Sequence, residues 1–258
     1  MTGTVLYARD EHVATITYHR PEVRNAINRE LREDLNAAWE RFRDDDDAWV
    51  AIVTGSGESF CVGADLRDGG GSAGTFAGSF WEIPTINSFE SGMEIWKPTI
   101  AAVNGYCLGY GLTAVLACNF VLAADDAQFG FPEVRLGVPT IVGALRLPDR
   151  VGMQHALEIL LTGDRIDARR AAEIGLALRV VPRADLLGEA NHLARRLCQG
   201  APLAVRAVNE VAHRGQGLPW SEAVRFGETM RRVAHATEDA REGMAAAAER
   251  RAPRWQGK

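Results

Sequence analysis

The sequence predicts an α/β protein in which strands and helices alternate over the first half and helices dominate the second. Short runs of strand-forming residues lie at 13–18, 49–54, 99–103 and 120–124, and helical spacing of apolar residues recurs between them. After Pro139 the apolar segments keep a helical spacing. With 258 residues, 47% hydrophobic and 24% charged, the chain can bury one sizeable core.

The first elements predicted are a β-hairpin and a helix. Residues 5–8 and 13–18 are strand-like and have charged residues between them, which is typical of a hairpin. Apolar residues then recur at helical spacing from Leu31, and Asn28 is a suitable N-cap. We interpret the acidic run at residues 44–47 as a solvated turn rather than a cation site.

The central segment, residues 99–124, contains no charged side chain and is long enough to span a bilayer. It also contains Asn104, Asn119 and three glycines, which divide it in the manner of a strand, a turn and a helix. We therefore predict a buried strand, a buried helix over 112–118 and a further buried strand, rather than a membrane span.

The second half is predicted to be a series of helices. One helix ends just before Gly175, a residue type that commonly follows a helix C-terminus. The predicted helices are residues 168–174, 184–198, 203–213, 221–236 and 239–250.

Charge and cysteine content exclude several classes of protein. The net charge is −5 and the pI is about 5.7, so no global basic field attracts nucleic acid or an anionic membrane. The four cysteines have no zinc-site spacing and are too few for a disulfide scaffold, which predicts reduced thiols, no metal site and a cytoplasmic location. The first ten residues lack the pattern of a signal peptide.

Glycine is unevenly distributed. Of 26 glycines, 12 lie within the 57 residues from Gly55 to Gly111. The glycine run from Asp68 to Gly78 is predicted to form a mobile loop, and long loops are often binding elements.

Two segments in this glycine-rich region are candidates for chemistry, because the standard phosphate, dinucleotide, metalloprotease and serine-hydrolase motifs are absent from the sequence. They are residues 60–66 and 97–111. In the second, a buried strand runs into a glycine turn that opens a helix, and a helix start offers unpaired N–H groups. The turn is an oxyanion site if a second N–H faces it; otherwise it serves only packing.

Segments along almost the whole chain resemble the enoyl-CoA hydratase/isomerase family, also called the crotonase superfamily. Their order and spacing carry the resemblance. The segments are residues 20–26 (RPEVRNA), 62–66 (VGADL), 97–111 (KPTIAAVNGYCLGYG), 127–133 (AQFGFPE), 160–163 (LLTG) and 249–258 (ERRAPRWQGK).

The resemblance implies a crotonase-like ββα spiral core over residues 1–198 and a C-terminal helical region over 199–258. In this family the latter packs on neighbouring subunits, which implies a homotrimer or a homohexamer built as a dimer of trimers. It also implies a coenzyme A thioester as substrate, with no separate cofactor.

The same resemblance implies the site residues. The backbone N–H groups of Ala64 and Tyr110 would hold the thioester oxygen and stabilise an enolate, with Glu133 as the acid/base. Segments that line the coenzyme A path contribute Arg24, Ala26, Val62, Asp65 and Leu66. Tyr110 also lies near the helix start predicted from the residues alone.

Two departures from the family pattern leave the reaction open. Hydratases of the family use two glutamates; Glu133 matches the second, but Thr113 stands at the place of the first. Threonine can hydrogen-bond a water but cannot take its proton. A glycine pair in residues 136–143 is also disturbed. Hydration or dehydration of an enoyl-CoA is the leading hypothesis; double-bond isomerisation and non-catalytic acyl-CoA binding are the alternatives.

The acyl group is not specified by the sequence. Phe80, Trp81 and Ile83 flank the glycine run and are candidates either for an acyl pocket or for the core. Trp96 is predicted to belong to the core.

Overall fold

The computed structural model describes residues 3–68 and 88–258. The predicted mobile loop, apart from its first residue Asp68, lies outside these ranges. The candidate acyl-pocket residues Phe80, Trp81 and Ile83 also lie outside them. The strands within them are β1 (Val5–Asp10), β2 (Val13–Tyr18), β3 (Val50–Gly55), β4 (Thr99–Val103), β5 (Tyr106–Leu108), β6 (Phe120–Ala124), β7 (Gln128–Gly130), β8 (Arg165–Asp167) and β9 (Arg179–Val181). The α-helices are α1 (Arg29–Asp44), α2 (Tyr110–Leu116), α3 (Val142–Val151), α4 (Met153–Thr162), α5 (Ala168–Glu173), α6 (Leu186–Leu197), α7 (Pro202–Arg214), α8 (Trp220–His235) and α9 (Glu238–Glu249).

The main sheet has six strands in the order β1-β2-β3-β4-β6-β9. Only the β1–β2 pair is antiparallel; the others are parallel. Both faces are buried: Ala51 and Val53 of β3 belong to the cluster that includes α1, and Val50 and Ile52 to the cluster that includes α6. A parallel sheet covered on both sides explains why the strand sequences are continuously apolar.

A second sheet has three strands in the order β5-β7-β8. Successive strands alternate between the two sheets: β4 is followed by β5 and then α2, and β6 by β7 and then α3. This is a spiral of ββα units, and it confirms the fold class predicted from the sequence.

Local sequence signals set several of the element ends. The Asn28 side chain accepts a hydrogen bond from the Leu31 N–H at 2.9 Å and caps α1. The hairpin of β1 and β2 forms as predicted, with β1 two residues longer. Gly175 has φ +83° just beyond α5, as expected for a residue that follows a helix.

The prediction differed from the structure at short elements. Helix α2 begins at Tyr110 rather than at residue 112. Strands β5, β7, β8 and β9 were not predicted; each has three residues. Three residues are too few for an alternation of apolar and polar side chains, so these strands exist because a neighbour pairs with them.

The segment that leads into β4 is anchored by a buried lysine. The Lys97 ammonium group donates hydrogen bonds to the carbonyls of Phe42 and Asp45 at 2.7 and 2.6 Å. It thereby supplies donors to carbonyl groups at the C-terminal end of α1, which have no partner within the helix. Burial lowers the pKa of this amine to about 8. The prediction that Trp96 is core was wrong: its ring is half-buried, because a charged and partly exposed side chain, Arg214 of α7, covers it instead of apolar residues.

The C-terminal residues return to the core. Trp255 packs against the cluster on the α6 side of the sheet and donates its indole N–H to the Gln199 carbonyl at 2.7 Å. The buried carboxylate of Asp239 accepts the N–H groups of Gln256 and Gly257 at 2.7 and 2.8 Å. Helices α7–α9 confirm the predicted helical character of this region, whereas the division at residue 198 stays a prediction.

None of the helices in the described ranges has the length and apolar character needed to cross a membrane. Residues 99–124, the one candidate span in the sequence, form β4, β5, α2 and β6 instead. The prediction of a buried strand-turn-helix is therefore confirmed.

Candidate active site

The first wall of the site is a pair of parallel segments, residues 20–27 and 61–66. The Ile27 N–H donates to the Gly63 carbonyl at 2.8 Å, and the Asp65 N–H donates to the Ile27 carbonyl at 2.9 Å. These two bonds form a parallel bridge between Ile27 and Ala64. They fix the peptide planes on either side of Ala64.

The direction of the Ala64 N–H follows from that bridge. The C=O and N–H of a trans peptide point in opposite directions. Because the Gly63 carbonyl faces Ile27, the Ala64 N–H points to the opposite side of this segment. On that side Cys61 pairs with Cys107. Gly63 has φ +96°, a backbone conformation that favours glycine. Within residues 3–68 and 88–258, the Ala64 N–H donates to no acceptor.

The second donor is at the start of α2. The Gly109 carbonyl accepts the Thr113 N–H at 3.0 Å, so it points along the helix. The Tyr110 N–H, on the same peptide, therefore points out of the helix N-terminus. No acceptor in the described part of the chain takes this hydrogen bond.

The two donors are neighbours. Leu108 donates to the Cys61 carbonyl at 2.9 Å, which holds residues 61–63 against the approach to α2. A methyl group placed on Gly63 would lie 3.7 Å from the Tyr110 nitrogen and 3.3 Å from the Leu108 carbonyl oxygen. The structure thus brings together the two segments that the sequence predicts to form an oxyanion hole.

Glu133 lies on the other side of the same helix start. It is in a short 3₁₀ helix, Pro132–Leu136, that follows β7. A methyl group on Gly109 would lie 2.8 Å from its Oε1, so the carboxylate rests against the Gly109 backbone. Its Oε2 is buried and lacks a hydrogen-bond partner within the described ranges. Burial raises the pKa of this carboxyl group. A raised pKa is typical of active-site carboxyl groups that accept and return protons.

Thr113 is buried, one helical turn beyond Gly109. Its hydroxyl donates to the Gly109 carbonyl at 3.3 Å. That bond uses the only hydroxyl proton, so Thr113 has only lone pairs to offer a water. Thr113 therefore can orient a water as an acceptor but supplies no carboxylate.

The other predicted substrate-binding residues lie along the first wall. Arg20 joins two of them: its Nη1 donates to the Ala26 carbonyl at 2.6 Å and to the Asp65 carboxylate at 3.2 Å. Asp65 is thus engaged in an ion pair that holds the wall together. Leu66 begins a short 3₁₀ turn with 68% of its surface exposed, and Val62 is half-buried.

Arg24 has an exposed side chain that lies near Tyr106. Its guanidinium lies 5.9 Å from the centroid of the Tyr106 ring, and it helps to line a cavity of about 730 Å³ with Gln128 and Arg183. Of the described residues, neither Ala64 nor Tyr110 nor Glu133 lines that cavity. The Arg24 side chain thus borders a cavity that these three residues do not line, and its backbone carbonyl belongs to the first wall, where it accepts the Val62 N–H at 3.3 Å.

Asn25 is the main anchor of the first wall. It is fully buried with φ +57°, donates to the carbonyls of Ser56 and Ser59 at 3.0 and 2.7 Å, and accepts the Arg20 N–H at 2.8 Å. It ties the wall to the loop after β3. A short polar side chain is suited to this left-handed backbone.

Replacing Asn25 with alanine is expected to lower the free energy of unfolding by about 3 kcal/mol, because one buried and one partly buried carbonyl lose their donor and alanine is strained at this φ. Urea unfolding measures the change. Asn191→Ala is the matched control: its amide bonds only the Leu187 carbonyl on an exposed helix face, and its effect should stay below about 0.5 kcal/mol. Equal effects of the two substitutions would contradict the anchoring role.

The site combines two convergent backbone N–H donors with one adjacent carboxyl group of raised pKa. Such a site can stabilise an oxyanion while a proton moves to or from a neighbouring atom. No group of three potential metal ligands lies together in the described ranges.

Comparison with known proteins identifies the family. The sequence matches the family described as enoyl-CoA hydratase/isomerase over residues 8–258. A probable enoyl-CoA hydratase of Mycobacterium tuberculosis is 38% identical over 256 residues, which cover 98% of this chain and 97% of that protein. The (E)-benzylidenesuccinyl-CoA hydratase of Thauera aromatica is 36% identical over 248 residues, with 95% and 96% covered.

A solved structure gives the same result. The crystal structure of an enoyl-CoA hydratase from Mycobacterium tuberculosis superposes with a TM-score of 0.90 at 34% identity, and 99% of each chain is covered. The chain belongs to the enoyl-CoA hydratase/isomerase family. It is an enoyl-CoA hydratase-like enzyme, and the resemblance inferred from the sequence segments is confirmed.

Proposed function

We propose that this protein adds water across the double bond of a 2-enoyl-CoA and catalyses the reverse dehydration, with Glu133 as the acid/base and the N–H groups of Ala64 and Tyr110 as the oxyanion hole. The observation that carries the proposal is the position of Glu133. Its carboxylate rests against Gly109, directly before the free Tyr110 N–H, and one of its oxygens is buried and unpaired among the described residues.

The reaction follows from this arrangement. Glu133 takes a proton from water as the water oxygen bonds to C3, and the electron pair of the C2–C3 double bond moves toward the thioester oxygen. The two N–H groups stabilise the resulting enolate. Glu133 then gives its proton to C2, and a 3-hydroxyacyl-CoA results. One carboxylate is sufficient, because it receives and returns a single proton.

Thr113 is proposed to orient the attacking water. Its hydroxyl proton is engaged by Gly109, so it accepts a hydrogen bond from one O–H of the water. The other O–H is then free to point at Glu133. This division of roles allows hydration without the first glutamate of the family pattern.

The substrate brings its own coenzyme A, so we propose no cofactor and no metal. We propose that the coenzyme A portion of the substrate lies along the backbone of the first wall, at Arg24, Ala26, Val62, Asp65 and Leu66. Support comes from its position: it is the same segment pair that presents the Ala64 N–H. Asp65 contributes through its ion pair with Arg20.

We also propose a trimer, or a hexamer of two trimers, built on the C-terminal helices. The support is apolar surface left exposed on α7, α8 and α9. Val208, Trp220, Val233 and Met244 are 69%, 83%, 62% and 55% exposed. Several large apolar side chains exposed on neighbouring helices are typical of an interface between subunits. Four free cysteines support a cytoplasmic location.

The pH profile of hydration should reflect the raised pKa of Glu133. Burial disfavours the carboxylate, so the base is protonated at a higher pH than an ordinary glutamate. We expect kcat/KM to fall as the pH drops through this raised pKa, which gives an acidic limb above the usual carboxyl range. Initial rates across pH measure this limb; a rate that stays level down to the ordinary glutamate range contradicts the assignment.

The test of function is product analysis. The protein is incubated with 2-enoyl-CoA and 3-enoyl-CoA thioesters of several lengths, and products are separated and weighed by mass spectrometry. A gain of one water on 2-enoyl-CoA supports the proposal. An isomer of unchanged mass from 3-enoyl-CoA would assign double-bond isomerisation instead, and saturable binding without product would assign a binding protein.

A further inference from the structure

A buried carboxylate lies behind the oxyanion hole and has no part in the chemistry described above. Glu90 is 6% exposed, and its Oε1 accepts hydrogen bonds from the Tyr110 hydroxyl and, at 2.5 Å, from the Ser88 hydroxyl. A buried charge is retained at a cost unless it is well bonded. Here the bond is to the side chain of the residue whose N–H is the second oxyanion donor.

The backbone of Glu90 is also fixed. Arg146 of α3 donates its Nε and Nη2 to the Glu90 carbonyl at 3.1 and 3.0 Å. Glu90 therefore joins the start of α2, through Tyr110, to α3, through Arg146. A displacement of Glu90 must be transmitted to one of these two helices.

The Tyr110 ring is held from a second side. The guanidinium of Arg32 on α1 lies 4.7 Å from the ring centroid, within the range of a cation–π contact. Burial and the Glu90 carboxylate raise the pKa of the phenol, so the hydroxyl stays protonated and remains a donor. The side chain is thus fixed at both its face and its hydroxyl end.

We propose that Glu90 is a positioning residue of the oxyanion hole, which holds Tyr110 so that its N–H points at the thioester oxygen. The proposal rests on the proposed function. Its physical basis is that Gly109 precedes Tyr110 with φ +54°, in a conformation that glycine adopts without steric cost. The Thr113 N–H already holds the carbonyl of the Gly109–Tyr110 peptide at 3.0 Å, and the side-chain anchor adds a second restraint on the orientation of this peptide. A preorganised donor is worth more in the transition state than a mobile one.

The experiment compares Glu90→Leu, Glu90→Gln and Tyr110→Phe with the wild-type protein. Glutamine keeps a carbonyl oxygen that can accept the phenol hydrogen bond, whereas leucine does not. Glu94→Leu is the matched control, because Glu94 is exposed and pairs only at the surface with Arg214 at 2.7 Å. Two quantities are measured: kcat and KM on a 2-enoyl-CoA, and the red shift of bound 4-dimethylaminocinnamoyl-CoA, whose absorption reports polarisation of its carbonyl.

We expect Glu90→Leu and Tyr110→Phe each to lower kcat about tenfold with KM little changed, less than the 100- to 1000-fold loss typical of a missing donor. Both substitutions should reduce the red shift of the probe, whereas Glu90→Gln should keep most of the wild-type kcat and red shift. A variant that combines Glu90→Leu with Tyr110→Phe should resemble either single variant, because both substitutions remove the same hydrogen bond. Glu94→Leu should change kcat by no more than about twofold. If Glu90→Leu fails to fold, Tyr110→Phe and Glu90→Gln carry the comparison.

A full red shift and wild-type kcat in Glu90→Leu or Tyr110→Phe would overturn the positioning role, as would a loss in Glu90→Gln equal to that in Glu90→Leu. The probe separates this failure from failure of the proposed function. A wild-type protein that shifts the probe but hydrates no enoyl-CoA contradicts hydration alone. A wild-type protein that does not shift the probe overturns both.

Discussion

Replacing Glu133 with glutamine is expected to lower kcat for hydration of a 2-enoyl-CoA by about a thousandfold, while binding of the thioester survives. The amide has nearly the size and shape of the carboxyl group but cannot take a proton from water, and general acid–base groups typically contribute 10²–10⁴-fold. Loss of the enoyl absorbance measures turnover, and calorimetry with a saturated acyl-CoA measures binding.

The control for this substitution is Glu158→Gln. Glu158 lies on α4 with 64% of its side chain exposed and should tolerate the change with activity near wild type. A Glu133→Gln protein that turns over at the wild-type rate would remove Glu133 from the mechanism. A protein that loses binding as well would indicate a structural role instead.

Replacing Gly109 with alanine is expected to lower kcat at least a hundredfold. The new methyl group would lie 2.8 Å from Oε1 of Glu133, and φ +54° is unfavourable for alanine. The Glu133 carboxylate must shift to make room for the methyl group, and relief of the backbone strain would turn the adjoining Tyr110 peptide, so we expect the acid/base and an oxyanion donor to be displaced together. Loss of one donor alone typically costs 10²–10³-fold.

Gly152→Ala separates the clash from the backbone strain. Gly152 has φ +79°, but a methyl group there would meet no atom of the described chain within 4 Å. Both variants should lose stability in urea, whereas only Gly109→Ala should lose turnover of the folded protein. Similar kcat losses in the two variants would mean that general backbone strain, not contact with Glu133, explains the effect.

Elements with strong local signals could be predicted from the sequence. The N-cap at Asn28 and the hairpin of β1 and β2 were predicted, because capping chemistry and spacing of strand-forming residues are local properties. Strands β5 and β7 were missed, although they carry the turn that exposes the Tyr110 N–H. Their conformation comes from pairing with each other, for which a single short segment has no signal.

In the candidate site, too, features with a local sequence signal could be predicted and contacts between distant segments could not. Segment resemblance selected Ala64, Tyr110 and Glu133, and the glycine pattern indicated a turn at Gly109. Contacts between distant segments could not be predicted. Nothing in the sequence indicates that Gly109 contacts Glu133 or that Glu90 accepts a hydrogen bond from the Tyr110 hydroxyl. Glu90 lies in a polar stretch without periodicity, where a glutamate is ordinarily solvent-exposed.

The placement of a single carboxylate beside the oxyanion hole has a stereochemical consequence. In the proposed reaction Glu133 deprotonates the water and protonates C2, so the new C–O and C–H bonds form on the same face of the double bond. In deuterium oxide, one deuterium should enter at C2 on that face, and NMR of the 3-hydroxyacyl product should show one diastereomer. The position of the Glu133 carboxylate against Gly109 would thus determine the configuration of the product.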